Sequence, residues 1–517
     1  MADETRLADW LLRLPLLPRL LASLCAGAAL PLAFAPYDVW WVALLSPALL
    51  FALVYRQSGW RSFWLAEAYG TGLWCTGAFW LYTSIHQFGD TPAVLALLMI
   101  GFVGVVMGLF NAVSVALSQR FFQGQVLAFA AFWVIAEWCK TWVFTGFPWL
   151  FAGYAATSHA LGNLAPLGGV FAVSAVLVGL GSTFAALALA PRRYGLLSLL
   201  MLGVVVLTVY VGHYRFTQRL NTPPLSVSLI QGNIPQDLKW LTTYRERTLQ
   251  IYGNLSKSEW GRDLVVWPES SIPMFQTEAM EFIAATRDTA RKAHSVWITG
   301  IPYLAEEELT PQSDYTPFYN AIVALGENGH GLYKKQRLVP FGEYVPFEGA
   351  LKWVLPSLKN DVSMSSFSAG SSDQKPLSVK GHAMAAAICY EVAYPDLTRR
   401  NARGSNFLVT VSNDAWFGTS DGPLQHLQMV QMRARETGRW FIRATNTGVS
   451  AFINDQGRIV SRSPQFKVAV LRDQLPAMTG ETPYMRWGDL PIMLICMSIL
   501  MLSALGQWWR TRKRTQS

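Results

Sequence analysis

The sequence predicts an α-helical transmembrane bundle of about eight spans joined to a water-facing α/β domain. Three observations carry that prediction. Apolar runs, each near the ~20 residues that cross a hydrocarbon core, recur between residues 16 and 213 and return at 488–509. Charged residues make up 15% of the 517 and hydrophobic residues 52%, far from the roughly 25% charged content of soluble chains. Between 214 and 487 the runs shorten into Val/Ile/Ala-rich strands that alternate with helical patterns, as in a sheet covered on both faces.

The N-terminal segment, 1–213, reads as seven helices at about 16–34, 38–55, 63–84, 92–117, 124–142, 166–190 and 194–212. The first is not followed by a convincing small-residue cleavage site, and more apolar runs come after it, so it reads as an uncleaved helix. Residues 143–166 are rich in Gly, Pro and aromatics and read as a re-entrant or interfacial loop. Glu67 and Glu137 fall inside apolar runs, where a carboxylate is costly and so a functional candidate. The structural alternative pairs Glu137 with Lys140 one turn away.

Basic residues set the orientation. Arg6, Arg13 and Arg19 precede the first span; Arg56, Arg61, Arg120, Arg192 and Arg193 occupy alternate loops; the tail carries Arg510, Arg512, Lys513 and Arg514. The intervening loops hold only Lys140. The positive-inside rule then places both termini in the cytoplasm and residues 214–487 on the outer face, with 488–517 as a final helix and basic tail. The net charge of +9 is explained by these loops and by anionic lipid headgroups rather than by nucleic acid, because the basic residues form no groove-binding stripe.

Within 214–487, strands are expected at 225–231, 264–268, 296–303, 321–325, 383–389, 407–412, 440–445 and 448–454, with helices at 242–258, 280–294 and 424–437. Residues 344–373 read as a long mobile loop. Of the five cysteines, Cys25, Cys75, Cys139 and Cys496 lie in apolar runs and Cys389 alone lies in the polar half, which excludes a disulfide framework there. The histidines show no metal-ligand spacing, so neither a metal nor another cofactor is expected.

Three patterns stand at or just after strand ends, where open α/β sheets place their sites: Trp-Pro-Glu-Ser at 267–270, Tyr-Lys-Lys-Gln-Arg-Leu-Val-Pro-Phe-Gly-Glu at 333–343, and Ile-Cys-Tyr-Glu at 388–391. A cysteine attacks a carbonyl only as thiolate or with a base beside it. Glu269 can take the thiol proton. Lys335 can stabilise the oxyanion, assisted by a backbone N–H after Cys389. Singly, each pattern reads more readily as core, cap or solvated surface; together they form a complete set for metal-free acyl transfer.

With these residues in place, the soluble half resembles the nitrilase, or carbon–nitrogen hydrolase, superfamily, whose Glu-Lys-Cys triad matches Glu269, Lys335 and Cys389. The whole chain resembles the bacterial apolipoprotein N-acyltransferase family. Further matching runs are Gln-Gly-Asn-Ile-Pro-Gln at 231–236, Thr-Gly-Phe-Pro-Trp at 145–149, Tyr319 with Asn320, Ser-Asn-Asp-Ala-Trp-Phe-Gly at 412–418, and Arg-Ala-Thr-Asn at 443–446. Arg337 departs from the His often found there in relatives.

The resemblance implies an αββα sandwich and a ping-pong reaction. An acyl chain would leave a membrane phospholipid, form a thioester on Cys389, and pass to the α-amino group of a lipoprotein's diacylglyceryl-cysteine. It implies Glu343 as a second active-site glutamate assisting Lys335 and Cys389, Tyr390 and Glu391 shaping the oxyanion hole and amine site, and Trp240, Asn320 and Arg439 supporting the pocket. Trp353 and Leu355 could dip into the interface as a lid, and Trp416, Phe417 and Gly146 could meet the acyl chain. The family implies a bacterial inner membrane with the catalytic domain periplasmic. Two other readings are a membrane-tethered amidase of the same superfamily and a transporter or receptor with a binding domain.

Overall fold

The computed structural model describes residues 4–309, 316–346 and 367–516. Two compact units emerge: Met1–Phe216, Phe417–Glu436 and Thr482–Ser517 form a helical unit, and Thr217–Trp416 with Thr437–Glu481 form an α/β unit. The proposed lid residues Trp353 and Leu355 lie outside the described residues.

In the helical unit, α1 (Arg6–Arg13) leads into α2 (Leu16–Ala29), α3 (Val42–Val54), α4 (Gly59–Gly77), α5 (Ala93–Phe122), α6 (Val126–Cys139), α7 (Ala165–Leu189) and α8 (Pro191–Val211). Among the described residues, five segments are long and apolar enough to cross a membrane: Leu16–Ala33, Ala93–Phe122, Ala160–Leu189, Pro191–Val211 and Leu490–Lys513. The helices Val42–Val54 and Val126–Cys139 are apolar but shorter. Each of the eight expected spans therefore holds a helix, while length and composition qualify five. On α5 and α8 the side chains of Val94, Leu98, Phe102, Leu196, Leu199 and Val206 are exposed, an apolar surface suited to lipid rather than water.

Helices attract one another in lipid through close van der Waals approach and hydrogen bonds, not through hydrophobic exclusion. The α2–α4 contact uses both. A Cβ added at Gly72 would lie 2.2 Å from the Leu24 carbonyl oxygen, and one at Gly27 would strike the Tyr69 carbonyl. Ser23 Oγ donates to the Leu65 carbonyl at 2.6 Å; beside it, Ser46 Oγ of α3 lies 2.6 Å from the Tyr69 hydroxyl of α4.

The Gly- and aromatic-rich segment after α6 is a series of short 3-10 turns at Val143–Thr145, Ala152–Ala156 and Ala160–Leu164. Trp149, Phe151 and Tyr154 are buried, so non-helical backbone at this level is shielded by protein. Glu137 accepts hydrogen bonds from Trp133 Nε1 at 2.9 Å and the Ala152 amide at 2.8 Å and lies in the electrostatic field of Lys140. Lys140 Nζ lies 5.5 Å from the Trp74 ring centroid. Glu67 takes a 3.4 Å contact from Thr71 Oγ1.

The α/β unit carries β1 (Thr217–Arg219), β2 (Leu225–Gln231), α9 (Gln236–Lys239), α10 (Thr242–Ser256), β3 (Leu264–Val266), α11 (Met280–Lys292), β4 (Val296–Leu304), β5 (Phe318–Gly326), β6 (Gly329–Lys334), β7 (Leu377–Val379), β8 (His382–Ile388), α12 (Pro395–Ala402) and β9 (Phe407–Ser412). The chain then forms α13 (Gly422–Thr437), which belongs to the helical unit. It returns for β10 (Phe441–Thr445), β11 (Ala451–Ile453), β12 (Ile459–Arg462), β13 (Ala469–Leu475) and β14 (Met478–Gly480), and leaves through α14 (Pro483–Trp487) into α15 (Leu490–Gln516). The sequence reading had kept residues 417–436 within 214–487. In the helical unit, Glu436 accepts from the Val170 amide at 2.8 Å, and Gln425 accepts from Trp149 Nε1 at 2.7 Å.

Twelve strands join in the order β12-β11-β10-β9-β8-β7-β6-β5-β4-β3-β2-β13. β2, β3 and β4 are parallel neighbours, as are β8, β9 and β10. β6 pairs antiparallel with β5 on one side and β7 on the other, linking the two halves. Strand alternation sorts the side chains. Val227, Leu229, Val266 and Ile298 share one core with Ile388, Val409, Val411 and Ile442, so the halves face each other. Ile230, Val265 and Trp297 point the other way and pack with Tyr252, Phe282, Ile283 and Ala290 of α10 and α11. This is the αββα arrangement. The eight expected strands are present; those at 225–231 and 407–412 keep their expected ends and the other six differ by one to three residues. β1, β6, β7, β12, β13 and β14 were not read, being short or polar on one face.

Candidate active site

β3 ends in the Trp-Pro-Glu-Ser run. Trp267 is buried, stacked 5.2 Å from Tyr252 and edge-on 4.9 Å from Trp297, which anchors the turn that presents Glu269. Ser270 has φ +46°. Gly300 of β4 passes beneath, and a Cβ there would come within 2.7 Å of Glu269 Cα. Lys335 directly follows β6. Its amide donates to the Asn320 carbonyl at 2.8 Å and its carbonyl accepts from Gly370 at 2.7 Å. Cys389 directly follows β8 at φ +51°, a left-handed conformation that costs a side-chain-bearing residue about 1–2 kcal/mol. The turn is held by Glu391, whose Oε2 accepts from the Ile388 amide at 2.7 Å and from Tyr333 at 3.0 Å. Its Oε1 accepts from the Gln336 amide at 2.6 Å and the Arg337 amide at 3.1 Å.

These turns bring the groups together. Lys335 Nζ lies 2.7 Å from Glu343 Oε1 and 3.6 Å from Glu269 Oε1. Asn320 Nδ2 bridges the two carboxylates, at 2.8 Å from Glu269 and 3.0 Å from Glu343. The Asn413 amide donates to Glu269 Oε2 at 2.8 Å, and the Val339 amide to Glu343 Oε2 at 2.8 Å. Ser412 Oγ sits 3.3 Å from the Cys389 sulfur and 2.6 Å from Asp414 Oδ1. Asp414 is paired with Arg443 at 2.5 Å. Glu269, Lys335 and Asn320 are buried, while Cys389 is partly exposed.

Electrostatics define what this cluster can do. Burial pushes the Cys389 thiol well up; the Glu269 carboxylate adds to this, and Lys335 opposes it. The thiol therefore needs a base within reach to react. Burial alone would lower Lys335, but Glu343 and then Glu269 over-compensate and hold its ammonium charged well above the ordinary range. Glu391 is pushed up to about 7 by burial, against its backbone donors. A carboxylate, a permanently charged ammonium and a thiol with a fixed backbone fit nucleophilic acyl transfer without a metal.

A carbon-nitrogen hydrolase family model matches residues 226–484, and an apolipoprotein N-acyltransferase N-terminal domain model matches residues 26–183. An apolipoprotein N-acyltransferase of Pseudomonas aeruginosa strain LESB58 is 41% identical over 522 residues, covering 98% of this chain and 99% of its own. The chain belongs to the apolipoprotein N-acyltransferase family. A relative of the same name from Vibrio vulnificus strain CMCP6 is 38% identical, covering 96% of this chain and 98% of its own. With its apolar helices, this member of the apolipoprotein N-acyltransferase family is a membrane protein.

The other expected residues separate. Glu343 and Asn320 lie in the cluster. Tyr390 is buried, edge-on to Tyr394 at 5.3 Å. Both oxygens of Glu391 are engaged by the donors named above, so it holds the turn rather than facing an amine. The Trp240 indole is 45% exposed, leaving it accessible beside α9. Arg439 is a correction. It donates to the carbonyls of Ser405 at 2.8 Å and Gly480 at 2.6 Å. It therefore sits before β9 and β10, whereas Ser412 closes the far end of β9 and Asn413 follows it. Its role there is to tie strand starts together. Trp416 is exposed in the α/β unit. Gly146 (φ +89°) and Phe417 belong to the helical unit, where Phe417 packs edge-on 4.7 Å from Trp80.

Sequence reasoning gave no role to Asn413, Ser412, Asp414, Arg443, Gln236 or Asn446. Asn413 Nδ2 donates to Gln236 at 2.7 Å, and Asn446 Nδ2 to Asn413 Oδ1 at 3.1 Å. The signal was the three polar runs at 231–236, 412–418 and 443–446, each at a strand end.

Proposed function

We propose that this chain transfers an acyl group from a membrane phospholipid, through a thioester on Cys389, to the α-amino group of a lipoprotein's N-terminal diacylglyceryl-cysteine. The observation that carries the reading is the Glu269–Lys335–Glu343 cluster around Asn320, with the Cys389 sulfur in its field.

In the first half, the Cys389 sulfur attacks the ester carbonyl and its proton passes to Glu269. The oxyanion forms beside Lys335, which stays charged because Glu343 and Glu269 flank it. Collapse breaks the ester C–O bond, and Glu269 returns the proton to the departing lysophospholipid oxygen. In the second half, the acceptor amine attacks the thioester and Glu269 takes its proton. The C–S bond breaks, the sulfur regains a proton and the amide is released. Asn320 and the Asn413 amide fix both oxygens of the base; Glu391 fixes the turn that carries the nucleophile.

The site residues Glu269, Lys335 and Cys389 are the proposed catalytic groups, with Glu343, Asn320 and Glu391 positioning them. Because the substrates remain in the bilayer, the α/β unit belongs on the periplasmic side of a bacterial inner membrane. Residues 1–213 would supply seven spans and 488–517 the eighth, with both termini cytoplasmic. The placement of Arg6, Arg13, Arg56, Arg61, Arg120, Arg192 and Arg193 in alternate segments supports that orientation.

The test uses purified full-length protein with phospholipid vesicles and a diacylated lipopeptide. The unaltered chain is expected to N-acylate the peptide and to carry an acyl thioester on Cys389, trapped by mass spectrometry. Cys389→Ala should abolish both while leaving the thermal melt intact. Release of free fatty acid without N-acylation would instead favour the amidase, and full activity of Cys389→Ala would overturn the mechanism.

A further inference from the structure

A second buried lysine reaches the same cluster. Lys239 ends the short helix α9, beside Trp240, and is 1% exposed. Its Nζ donates at 3.0 Å to the main-chain carbonyl of Glu269. It also lies in the electrostatic field of both the Glu269 carboxylate and the Cys389 sulfur. A lysine whose only task was to tie down one carbonyl would not need a charge, since a neutral amide would do as much. Burying an ammonium is costly unless an anion repays it.

The charges around the sulfur show which anion that is. Glu269 and Glu343 bring two negative charges, and Lys335 brings one positive. Asp414, next in the field of Cys389, is neutralised by Arg443. Glu391 has its oxygens turned to the Ile388, Gln336 and Arg337 amides and Tyr333. On its own element, Asp237 is the neighbouring charge. Without Lys239 the Glu269–Lys335–Glu343 set carries one net negative charge before the thiol ionises. With Lys239 protonated it is neutral.

We propose that Lys239 is a second cation of the active site, a positioning residue that anchors the Glu269 turn and lowers the cost of forming negative charge on Cys389. The inference rests on the reading that Cys389 is the nucleophile. Its own protonation is sensitive to the site. Burial brings the Lys239 ammonium down to about 8, while Glu269 and Cys389 hold it up. The stabilising charge is therefore present at neutral pH and falls away as the pH passes through about 8.

The experiment is the pH dependence of iodoacetamide alkylation at Cys389, resolved by mass spectrometry on full-length protein in phospholipid vesicles. Lys239→Gln keeps an N–H donor for the Glu269 carbonyl but removes the charge. It should slow alkylation roughly tenfold at pH 7, the gap closing as the pH rises past about 8 and the unaltered lysine loses its charge. Lys239→Arg keeps the charge and should stay within about twofold of the unaltered rate at pH 7. A Lys239→Gln rate at pH 7 equal to the unaltered one, or a Lys239→Arg rate slowed as far as that of Lys239→Gln, overturns the proposal. The underlying reading fails separately: Cys389→Ser retaining N-acyltransfer would sink it whatever the Lys239 variants do.

Discussion

Glu343→Gln isolates the contribution of one charge to the placement of another. The substitution keeps the size of the side chain and a carbonyl oxygen for Lys335, 2.7 Å away. At that distance two unit charges attract by about 6 kcal/mol at an effective dielectric near 20. Glu269 at 3.6 Å retains an attraction of about 5 kcal/mol on the same basis, so Lys335 does not become an isolated buried charge. The new amide cannot satisfy every partner. If its oxygen serves Lys335, its NH₂ meets the Val339 amide that now donates to Oε2 at 2.8 Å, donor against donor. Breaking one arm of a buried pair costs about 3–5 kcal/mol. With about 3 kcal/mol of that expressed in the barrier, kcat falls about 100-fold. KM should change less than about threefold, because Glu343 touches Lys335 and Asn320 rather than substrate. Losing one carboxylate also lowers the Lys335 ammonium, which in the unaltered protein stays charged from pH 6 to 10. The assay is initial-rate N-acylation of a diacylated lipopeptide across that range. A variant within threefold of the unaltered kcat throughout would refute this reasoning.

Gly300→Ala should push the Glu269 turn outward, because the new Cβ meets Glu269 Cα, the Pro268 oxygen and the Ser270 nitrogen, each at 2.7 Å. A loss of about 1–3 kcal/mol in stability and at least tenfold in rate is expected by thermal melt and acylation assay; unchanged activity would count against the placement of Glu269. Arg472→Met tests acid stability. Glu259 is held down to about 2: burial opposes this, and hydrogen bonds from Arg472, Ser228 and Ser258 prevail. The stabilisation is therefore present above the ordinary carboxylate range and lost as the pH falls through about 2. Discounted for the exposure of Arg472, the variant should be about 1–2 kcal/mol less stable at pH 7, with the difference vanishing in acid. A gap that persisted at the lowest pH would exclude this ion pair as its source. Gly72→Val would force α2 from α4, since its Cβ would sit 2.2 Å from the Leu24 carbonyl. A sharp loss of folded protein in detergent is expected, and normal yield would contradict the close approach.

How much of this was legible in the sequence depended on the kind of signal. The apolar helices were readable because hydropathy averages over many residues. The strands at 225–231 and 407–412 were readable because both faces are largely buried, leaving runs dominated by Val, Leu, Ile and Phe. β6 (Gly-His-Gly-Leu-Tyr-Lys) and β13, with Arg472 and Asp473, carry too few apolar residues to declare themselves, although β6 carries Lys335 at its end. The proposed Glu269–Lys335–Cys389 set was suggested by three patterns at strand ends taken together with the family resemblance, none of them distinctive alone. Arg439 was misplaced because its role came from the family resemblance, and a motif match does not say at which end of the sheet a residue lies; only register does. Lys239 and Asn413 were hidden for a different reason: one acts through a main-chain carbonyl and the other through its own amide, and neither contact leaves a trace in residue type alone.

The hinge-like place of β6 between β5 and β7 has a consequence for how activity is acquired. Glu269 and Asn320 are supplied by the strands on one side of that seam, Cys389 and Asn413 by those on the other, and Lys335 by the seam itself. On the proposed mechanism, neither half-sheet folded alone holds a working set. Turnover would then be a built-in report on sandwich closure, and a nascent chain halted before residue 389 would be chemically silent however well its first half had formed.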